Sequence, residues 1–526
     1  MNRAAGLQQL KEIPQWDIVI VGGGATGLGC AVDAASRGYK TLLLEKYDFA
    51  KGTSSRATKL VHGGVRYLAQ GNIRLVREAL HERGRLLKNA PHLCNAIPFI
   101  LPFYSIWQRW YYGIGLTLYE WLSGKWGLGK TTLLTAAATQ EKMPGLNSAK
   151  LKGGVLYYDG QFDDSRLAIH LAQTAVNQGA TVLNYCGVQS FMLEGDKIIG
   201  VVAKDEITEQ QFEITAKVVI NATGVFADDV LQMLAGAHIP TIAPSQGIHL
   251  VVDKRFFAGD TALMIPKTDD GRVLFAIPWH DKVLLGTTDT AVDKVMIEPR
   301  AMPEEIDFVI RHFNRYAISC IQQRDILSVF AGLRPLAKLN SEQRTAVMPR
   351  DHQVKVLSSG LVHVTGGKWT TYRSMSEDAI NKAAATAGLP VRSCKTKNLP
   401  IHGAGGENAT GHFRAYGADA KWILQLMQDQ PELGVLLHPH YPYCLAEVQW
   451  MVEHEMALTV EDVLARRIRL LFLDAVAAMQ AAPKVAKLMA VLLNKDESWV
   501  SGQLDAFNQL AKSYLPCNDF SKTKHA

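Results

Sequence analysis

Three glycines with a fixed spacing carry the strongest chemical signal in the sequence. A β-branched run, Asp17-Ile-Val-Ile-Val21, leads into Gly22-Gly-Gly24-Ala-Thr-Gly27, and a helical pattern follows. In this arrangement the glycines permit a tight turn, a close approach of the backbone to a pyrophosphate, and close packing of helix on strand. The next apolar run ends at Glu45, where a carboxylate can accept hydrogen bonds from a ribose diol. The pattern therefore predicts a dinucleotide site near the N-terminus.

Two more apolar runs end in glycine and predict further walls of the same site. They are Lys217-Val-Val-Ile-Asn-Ala-Thr-Gly224 and Leu361-Val-His-Val-Thr-Gly366. Three strands that bring glycines to one place suit a long cofactor, and the helix after Gly367 would direct its positive end at the cofactor ring. Each run alone is also consistent with an ordinary strand-to-helix turn. By contrast, Gly403-Ala-Gly-Gly406 follows no strand and is interpreted as a connector.

Glycine spacing does not distinguish NAD from FAD, but the segment after Glu45 does. Gly52-Thr-Ser-Ser-Arg-Ala-Thr-Lys-Leu-Val-His-Gly-Gly-Val-Arg-Tyr67 resembles the flavin-proximal stretch of the FAD-dependent, quinone-linked glycerol-3-phosphate dehydrogenases. That family belongs to the larger group of glutathione-reductase-like and amino-acid-oxidase-like flavoproteins. Similar motifs continue in the family's order over roughly residues 17 to 375. They are Tyr157-Tyr-Asp-Gly160, Asp163-Asp-Ser-Arg166, Asn221-Ala-Thr-Gly224, Gly286-Thr-Thr-Asp-Thr290, Gly332-Leu-Arg-Pro335, Met348-Pro-Arg-Asp351 and Gly366-Gly-Lys-Trp-Thr-Thr-Tyr-Arg373.

The resemblance implies non-covalent FAD as the cofactor. It also implies a fold of the α/β plus α+β class, in which a glutathione-reductase/amino-acid-oxidase-like FAD-binding Rossmann domain carries a β-sheet substrate cap and a C-terminal helical domain. The glycine motif and the resemblance together give a set of cofactor-binding positions: Gly22, Gly24, Ala25, Thr26, Gly27, Glu45, Lys46, Thr53, Ser54, Ser55, Lys59, His62, Gly63, Gly64, Ala222, Thr223, Gly224, Gly332, Arg334, Gly367, Lys368, Trp369 and Thr370.

Oxidation of a secondary alcohol by a flavin needs a base that removes the hydroxyl proton while a hydride leaves the carbon. A phosphorylated substrate also needs cations, and the planar guanidinium of arginine binds two phosphate oxygens at once. The resemblance implies catalytic roles for His249, Arg334 and Lys368. It implies substrate-binding roles for Arg66, Tyr67, Arg334 and Arg350. His249 is the candidate base because imidazole titrates near pH ~6.5, although its apolar neighbours also suit a hydrogen-bonded core histidine.

The elements that must position these residues follow from composition and periodicity. An FAD-binding domain assembled from separate stretches is predicted over 15–97, 150–240 and 325–385. Residues 98–149 and 241–324 are predicted to form a substrate cap and membrane-facing region, since 241–292 reads as strands and turns. Residues 400–526 have mainly helical patterns and predict the C-terminal helical domain. Within it, Arg466-Arg-Ile-Arg469 is interpreted as a solvated or interdomain helix face.

An aromatic and basic segment predicts a contact with a membrane surface. Residues 98–126 contain ten aromatic side chains, and from Arg66 to Lys130 there are nine Lys and Arg against three acids. One helical face is predicted to carry Trp107, Trp110, Tyr111, Ile114, Leu118, Trp121 and Leu122. An apolar face rimmed by cations is typical of an interfacial anchor on an anionic membrane, and the resemblance favours it because the reduced flavin would then reach a quinone. The alternatives are a helix buried against the FAD domain and a homodimer contact.

Composition argues against several classes of protein. No run of about 20 apolar residues is present, so an integral membrane protein is not expected. Residues 1–15 show no signal-peptide pattern, and the seven scattered cysteines without Cys-x-x-Cys support neither a disulfide framework nor a metal site. A net charge of +6 over 526 residues does not support nucleic-acid binding. The predicted localisation is cytoplasmic, in peripheral, monotopic association with the inner face of the plasma membrane.

The resemblance implies oxidation of sn-glycerol 3-phosphate to dihydroxyacetone phosphate, with the electrons passed to a membrane quinone. The nearest alternative is a glycerol-3-phosphate oxidase, which would use O2 and form H2O2 at the same site. Two further alternatives keep the fold: an amino-acid or 2-hydroxy-acid oxidase, and a binding protein without redox activity.

Overall fold

The structure is a computed structural model, and it describes residues 1–69, 71–234, 240–338, 352–406 and 409–516, without the side chains of Arg66 and Ala69. Two of the predicted substrate-binding residues are affected. Arg350 and the side chain of Arg66 lie outside the described part of the chain.

Strands and helices alternate through the first two thirds of the chain, and the last third is mainly helical. The strands are β1 Trp16–Val21, β2 Thr41–Leu44, β3 Leu60–Val61, β4 Cys94–Phe103, β5 Thr132–Thr135, β6 Gly153–Phe162, β7 Thr181–Leu183, β8 Cys186–Glu194, β9 Lys197–Asp205, β10 Gln211–Asn221, β11 Ile242–Asp253, β12 Ala262–Ile265, β13 Leu274–Trp279, β14 Lys282–Gly286, β15 Thr290–Ala291, β16 Ile326–Ala337, β17 Gln353–Val356, β18 Val362–Thr365, β19 Leu436–His438 and β20 Tyr441–Cys444. The helices are α1 Arg3–Glu12, α2 Ala25–Ser36, α3 Val65–Ala69, α4 Ile73–Asn89, α5 Ile106–Ser123, α6 Ala136–Lys142, α7 Asp164–Asn177, α8 Ala227–Leu231, α9 Pro303–Asn314, α10 Tyr372–Thr386, α11 Ala420–Asp429, α12 Leu445–His454, α13 Leu470–Leu473, α14 Ala475–Leu492 and α15 Glu497–Lys512.

The first sheet has the strand order β17-β18-β10-β1-β2-β7 and continues through β9 and β8. Its central strands β18, β10, β1, β2 and β7 are parallel, and β1 and β2 are almost entirely buried. Apolar runs such as Ile18-Val-Ile-Val21 suit strands that are covered on both faces. Helices α2, α7 and α10 pack together beside this sheet. The carboxyl ends of β1, β2, β10 and β18 therefore meet along one edge, where the predicted glycines lie.

The second sheet is mainly antiparallel and has the order β15-β11-β14-β13-β12-β4-β6-β3, with β16 on β11 and β5 on β6. It contains the predicted cap strands β11 to β15. It also contains β3, β6, β16 and the start of β4, which were assigned from sequence to the FAD-binding stretches. The sheet therefore crosses the predicted boundaries near 97, 150 and 325. Strand periodicity cannot reveal this, because it shows which residues face a core and not which strand they pair with.

The C-terminal region packs α11 to α15 with a short hairpin, β19 and β20. Among the described residues, α14 is the one helix that is long and apolar enough to cross a membrane. Half of that helix is buried within the fold. It packs against α12 and α15, and Ala478, Val485 and Met489 belong to the apolar core of this region. These contacts are those of a core helix.

The prediction of a solvated helix face for 466–469 was wrong in one respect. Arg466, Arg467 and Arg469 are almost completely buried, at 3, 2 and 1% exposure. They cross from the C-terminal region to the segment after β2: Arg466 Nε and Arg467 Nη1 donate to Asp48 Oδ2 at 2.5 and 2.7 Å. Burial raises the pKa of Asp48, but the two guanidinium groups outweigh burial and hold it at about 2. The cluster is an interdomain contact, which was the other alternative in the interpretation of this segment from its sequence.

Candidate active site

A cavity of about 540 Å³ lies at the carboxyl edge of the parallel strands, between the two sheets. Its walls include the residues that follow β1, β2, β10 and β18, and the facing strands β11 and β16 supply the remainder. In open parallel sheets this edge is where ligands bind, because the strand-to-helix turns leave a crevice there. The volume is typical of a small-molecule site.

The turn after β1 has the backbone that the glycine motif predicts. Gly22 adopts φ +109°, and a Cβ there would lie 2.8 Å from the carbonyl oxygen of Ala222. A Cβ on Gly27 would lie 1.8 Å from the carbonyl oxygen of Gly22, so this glycine allows α2 to pack directly on the turn. Gly24 precedes α2 without a capping side chain, and the positive end of the helix faces the cavity.

Glu45 and Ser54 line the cavity on either side of this turn. Glu45 Oε2 accepts the Gly23 N–H at 2.6 Å, and its Oε1 accepts the Tyr47 N–H at 2.8 Å. Burial raises the pKa of Glu45, against the effect of these two backbone donors. Ser54 Oγ accepts the Ala25 N–H at 2.9 Å, and the Ser54 carbonyl accepts the indole N–H of Trp369 at 2.9 Å. These contacts join the glycine turn, the segment after β2 and the segment after β18 into one wall.

Most of the predicted cofactor-binding residues line this cavity. They are Gly22, Gly24, Ala25, Thr26, Glu45, Lys46, Thr53, Ser54, His62, Ala222, Thr223, Gly224, Gly332, Arg334, Gly367, Lys368, Trp369 and Thr370. Gly27, Ser55 and Gly63 support the wall from behind without lining it, and Gly64 lines a smaller cavity described below.

Lys59 was predicted to bind the cofactor, and this prediction is corrected because its side chain points away from the cavity. Its ammonium is fully buried and donates to both carboxylate oxygens of Asp164, at 2.9 and 2.7 Å, and to the Ser55 carbonyl at 2.9 Å. Burial, with the nearby Arg469, lowers the pKa of Lys59 to about 7. The sequence could not show this pairing, since Asp164 lies on α7, about a hundred residues further along the chain.

His249 lies on β11, buried at the cavity wall. Its ring stacks on Phe330 of β16 with centroids 5.0 Å apart, and its Nε2 lies 3.0 Å from Thr58 Oγ1. Its Nδ1 has no hydrogen-bond partner among the described residues. Gly286 makes room for the ring, because a Cβ there would lie 2.4 Å from His249 Cδ2. Burial, with Lys59 and Arg334 nearby, holds the pKa of His249 well below its usual 6.5, so the imidazole is neutral at pH 7.

Arg334 occupies β16, where it pairs with Ser245 of β11, and its guanidinium is clamped in place. Nη1 donates to the Gln246 carbonyl at 3.3 Å, and Nη2 donates to Thr287 Oγ1 and the Thr288 carbonyl at 2.9 Å each. Asp289 Oδ1 lies 3.5 Å from Nη1. His249 and Arg334 line the same cavity, so the two predicted groups are brought together.

Lys368 and Tyr67 lie beside each other at the same cavity. The Lys368 ammonium lies 5.3 Å from the centroid of the Tyr67 ring, and both residues line the cavity. Lys368 precedes Trp369 and Thr370, which place it at the turn after β18. The predicted catalytic residues His249, Arg334 and Lys368 therefore surround one space, although they come from β11, β16 and the turn after β18.

A second cavity of about 130 Å³ adjoins the first and shares Thr58, His62, Tyr67 and Arg334 with it. It also contains Arg272, which was not among the predicted residues. Arg272 Nη1 donates to the Asp289 carbonyl at 2.5 Å, so Arg272 and Arg334 lie on either side of one aspartate. The sequence signal was present, because Arg272 follows the turn at Asp269-Asp-Gly271, but only the turn was recognised.

Comparison with known proteins places this site in a family. The model of the FAD dependent oxidoreductase family matches residues 17–372, and that of the C-terminal domain of alpha-glycerophosphate oxidase matches residues 366–499. The mitochondrial glycerol-3-phosphate dehydrogenase of Rattus norvegicus is 38% identical over 94% of this chain and 73% of its own length. That of Schizosaccharomyces pombe is 34% identical over 98% of this chain and 89% of its own length. This chain belongs to the FAD-dependent glycerol-3-phosphate dehydrogenase family.

Solved structures agree with the family assignment. A glycerol-3-phosphate dehydrogenase from Bacillus halodurans, complexed with FAD, is 30% identical with a TM-score of 0.80, and the match covers 98% of both chains. An L-alpha-glycerophosphate oxidase from Mycoplasma pneumoniae, with FAD bound, shares the fold at 18% identity and a TM-score of 0.57, over 74% of this chain and 98% of its own. The predicted fold class is confirmed: a Rossmann-like FAD-binding domain, a second sheet as cap and a C-terminal helical domain.

FAD is the cofactor of this family, and the residues at the large cavity fit it. The absence of a Cβ at Gly22 leaves room in the turn for a pyrophosphate, and the N-terminus of α2 faces the position that the pyrophosphate would occupy. Glu45 is positioned at the end of β2, where a ribose would lie. Among the described residues, no group of three or more His, Cys, Asp or Glu side chains could hold a metal ion.

Proposed function

We propose that this protein oxidises sn-glycerol 3-phosphate to dihydroxyacetone phosphate. The observation that carries the proposal is that His249, Arg334 and Lys368 converge on a cavity that is continuous with the glycine turn. The relatives named glycerol-3-phosphate dehydrogenase support the same substrate. A neutral imidazole beside two cationic side chains suits the oxidation of a phosphorylated alcohol, which needs a base for the hydroxyl proton and cations for the phosphate.

FAD, when bound, supplies the acceptor for the hydride that leaves C2 of the substrate. In this proposal, His249 accepts the proton of the C2 hydroxyl on its imidazole. Its neutral state at pH 7 supports this role, because a protonated ring could not accept a proton. The stacking on Phe330 and the contact with Thr58 hold the ring in one orientation.

Arg334 and Arg272 bind the phosphate in this proposal, and Lys368 adds positive charge near the developing carbonyl oxygen. The small cavity supports this arrangement because it suits a three-carbon molecule and is flanked by both guanidinium groups. Hydrogen bonds to Gln246, Thr287 and Thr288 hold the Arg334 guanidinium group in place before the substrate binds, which reduces the conformational entropy lost on binding. Tyr67, Arg66 and Arg350 are assigned to the same substrate site as proposals from the family motif.

An anaerobic titration tests the proposed reaction directly. The purified holoprotein, with its FAD content measured, is mixed with sn-glycerol 3-phosphate, and the yellow flavin absorbance is expected to bleach. Glycerol is the matched control because it has the same hydroxyl without the phosphate, and it should bleach the flavin far more slowly. Full FAD occupancy without bleaching by sn-glycerol 3-phosphate would refute the proposal, whatever the behaviour of glycerol.

We further propose that the electrons pass to a membrane quinone and that α5 binds the membrane surface at the cytoplasmic face of the inner membrane. Its outer face is apolar and exposed: Trp107 is 84% exposed, Trp121 is 76% exposed, and Trp110, Tyr111 and Ile114 lie between them. Arg74, Arg77, Arg109, Lys125 and Lys130 are exposed around this face. An apolar face with a cationic rim suits an anionic lipid surface, where each cation contributes about 1 kcal/mol.

Vesicle binding separates this membrane proposal from the homodimer alternative. The double variant Trp107→Glu, Trp110→Glu is expected to lose sedimentation with anionic vesicles while keeping its FAD and its bleaching by substrate. A double variant that still binds vesicles but changes from dimer to monomer in solution would instead assign this face to a subunit contact.

The oxidase reaction is the second candidate, because a C-terminal domain model described from alpha-glycerophosphate oxidase matches residues 366–499. The two functions differ only in the acceptor of the electrons. Reoxidation of the bleached protein by a soluble quinone analogue, faster than by air-saturated buffer and without H2O2, supports the dehydrogenase. Stoichiometric H2O2 at a rate that matches turnover would support the oxidase.

A further inference from the structure

Tyr119 lies on the inner side of the same α5 whose outer side is exposed. Its side chain is 2% exposed, and its hydroxyl reaches the segment that follows β3. The Gly63 N–H donates to the Tyr119 hydroxyl at 2.6 Å, and that hydroxyl donates to Asp159 Oδ2 at 2.7 Å. Burial and Asp159 raise the pKa of Tyr119 well above its usual value, so the hydroxyl keeps the proton that it donates.

The contact belongs to a buried network that joins four elements. Asp159 lies on β6, and its other oxygen accepts Arg83 Nη1 of α4 at 2.8 Å. Arg83 Nη2 donates to the Trp126 carbonyl just after α5 at 3.1 Å. Arg83 and Asp159 are both almost completely buried, at 2 and 3% exposure. The C-terminal part of α5, at Tyr119, and the turn that follows it, at Trp126, are thereby fixed to one ion pair, whose Asp159 lines the small cavity.

The segment held by Tyr119 forms a wall of both cavities. His62 lines both of them, and its N–H donates to Thr370 Oγ1 at 3.2 Å. The next residue, Gly63, is tightly enclosed, because a Cβ there would lie 2.7 Å from the Tyr119 oxygen. Gly64 turns the chain with φ +79° under the Tyr67 ring, which faces Lys368. The wall is therefore pinned on one side by the segment after β18 and on the other by α5.

We propose that Tyr119 is a positioning residue that ties α5 to the His62–Tyr67 wall of the active site. The proposal rests on the proposed function, since it assigns to that wall the placement of the substrate. Without the hydroxyl, Gly63 loses its acceptor and Asp159 loses a donor, and both groups stay buried. The segment is then expected to shift until they find other partners. Shifts near 1 Å at a substrate wall are enough to change turnover by roughly a hundredfold.

Tyr119→Phe tests the proposal, because it removes one oxygen and keeps the ring. Tyr112→Phe is the matched control, since it removes a hydroxyl from a half-buried tyrosine of the same helix that is not part of the proposed membrane-binding face. Amide hydrogen exchange of a peptide covering 60–68 is the first measurement, and it is expected to be roughly tenfold faster in Tyr119→Phe only. The KM for sn-glycerol 3-phosphate is the second, and it is expected to rise roughly tenfold in Tyr119→Phe, with FAD content unchanged.

Exchange at 60–68 that is the same in Tyr119→Phe and wild type would overturn the proposal. Faster exchange with KM and kcat both within twofold of wild type would overturn it as well, because the wall would then not position the substrate. The Gly63 amide of the wild-type holoprotein provides a second measurement, should Tyr119→Phe fail to fold: we expect its hydrogen bond to the buried Tyr119 hydroxyl to protect it from exchange, and an unprotected amide would overturn the proposal. Failure of the proposed function can be told apart from failure of this proposal. If the proposed function is wrong, sn-glycerol 3-phosphate will not bleach the flavin of the wild-type protein, and hydrogen exchange at 60–68 will still decide the role of Tyr119.

Discussion

Replacement of Arg334 by Gln is the sharpest test of the phosphate assignment. Nη2 of Arg334 already donates to Thr287 and Thr288, and Nη1 donates to Gln246, so we assign one charged hydrogen bond to the phosphate, worth about 1.5–3 kcal/mol. Its loss corresponds to roughly 10- to 150-fold in kcat/KM at about 1.4 kcal/mol per tenfold. Arg334→Lys keeps the charge but not the planar guanidinium, so we expect it to lose roughly 3- to 10-fold, about half of the same free energy.

The assay must separate substrate binding from damage to the fold. Arg334 also donates to Gln246, Thr287 and Thr288, so each variant loses structural hydrogen bonds worth about 1 kcal/mol apiece. We therefore measure kcat/KM by quinone-analogue reduction, together with the FAD-to-protein ratio and the thermal unfolding midpoint. If Arg334→Gln binds a full complement of FAD and its kcat/KM falls less than threefold, Arg334 does not hold the phosphate.

Four further predictions follow from the described contacts. Arg272→Gln is expected to raise the KM for sn-glycerol 3-phosphate roughly tenfold by loss of one charged contact, and inhibition by inorganic phosphate should weaken in parallel; an unchanged phosphate inhibition constant would remove Arg272 from the site. The pKa of His249 is depressed, so the acid limb of kcat/KM that depends on it should lie below pH 6.5 and vanish in His249→Asn; a limb above pH 6.5 that survives the substitution would contradict the base assignment. Gly27→Ala should give protein with little bound FAD, since its Cβ would lie 1.8 Å from a carbonyl oxygen; a normal absorbance ratio would disprove the packing argument. Asp48→Asn should lower the free energy of unfolding by about 1.5–3 kcal/mol, measured in urea, because it removes the carboxylate that Arg466 and Arg467 share, while Arg466 keeps its contacts with Glu461 and Asp462.

The cofactor half of the site could be predicted because its signals are local. The turn at Gly22, the helix after Gly24 and the position of Glu45 at the end of β2 are set by a short stretch of sequence, and the structure has each of these three features. Lys59 shows where such reasoning ends. Its position within a flavin-proximal motif suggested the cofactor, whereas the fold turns it towards Asp164 in a buried ion pair. The direction of a side chain depends on partners that are distant in sequence, and a local sequence pattern does not show which residues these are.

The second sheet was harder to foresee for a related reason. Only the strands within 241–292 were predicted as strands. The stretches that contain β6 and β16 were assigned to the FAD-binding domain, and their pairing with β4 and β11 in the second sheet could not be foreseen because these partners are far away in sequence. The aromatic helix shows a different limit. Its spacing predicted one apolar face, and α5 indeed exposes Trp107 and Trp121. The inward Tyr119 gave no signal of its own, because nothing in the sequence distinguishes it from the other three tyrosines among the ten aromatic residues of 98–126.

The C-terminal region contacts the segment that supplies part of the cavity wall, a role that its sequence pattern did not indicate. The segment 48–59 supplies Thr53, Ser54 and Thr58 to the cavity, and the buried arginines after α12 hold that segment at two points. Near its start, Arg466 and Arg467 hold Asp48. Further along, Arg469 Nη2 donates to the Ser55 carbonyl at 2.7 Å and lies 3.3 Å from Asp164, the partner of Lys59. A loop that must present backbone and hydroxyl groups to a cofactor needs fixed points, because every ordered residue costs about 1–2 kcal/mol of conformational entropy on binding unless it is ordered beforehand. The helical domain orders it beforehand, so its arginines act on the cofactor site without lining it.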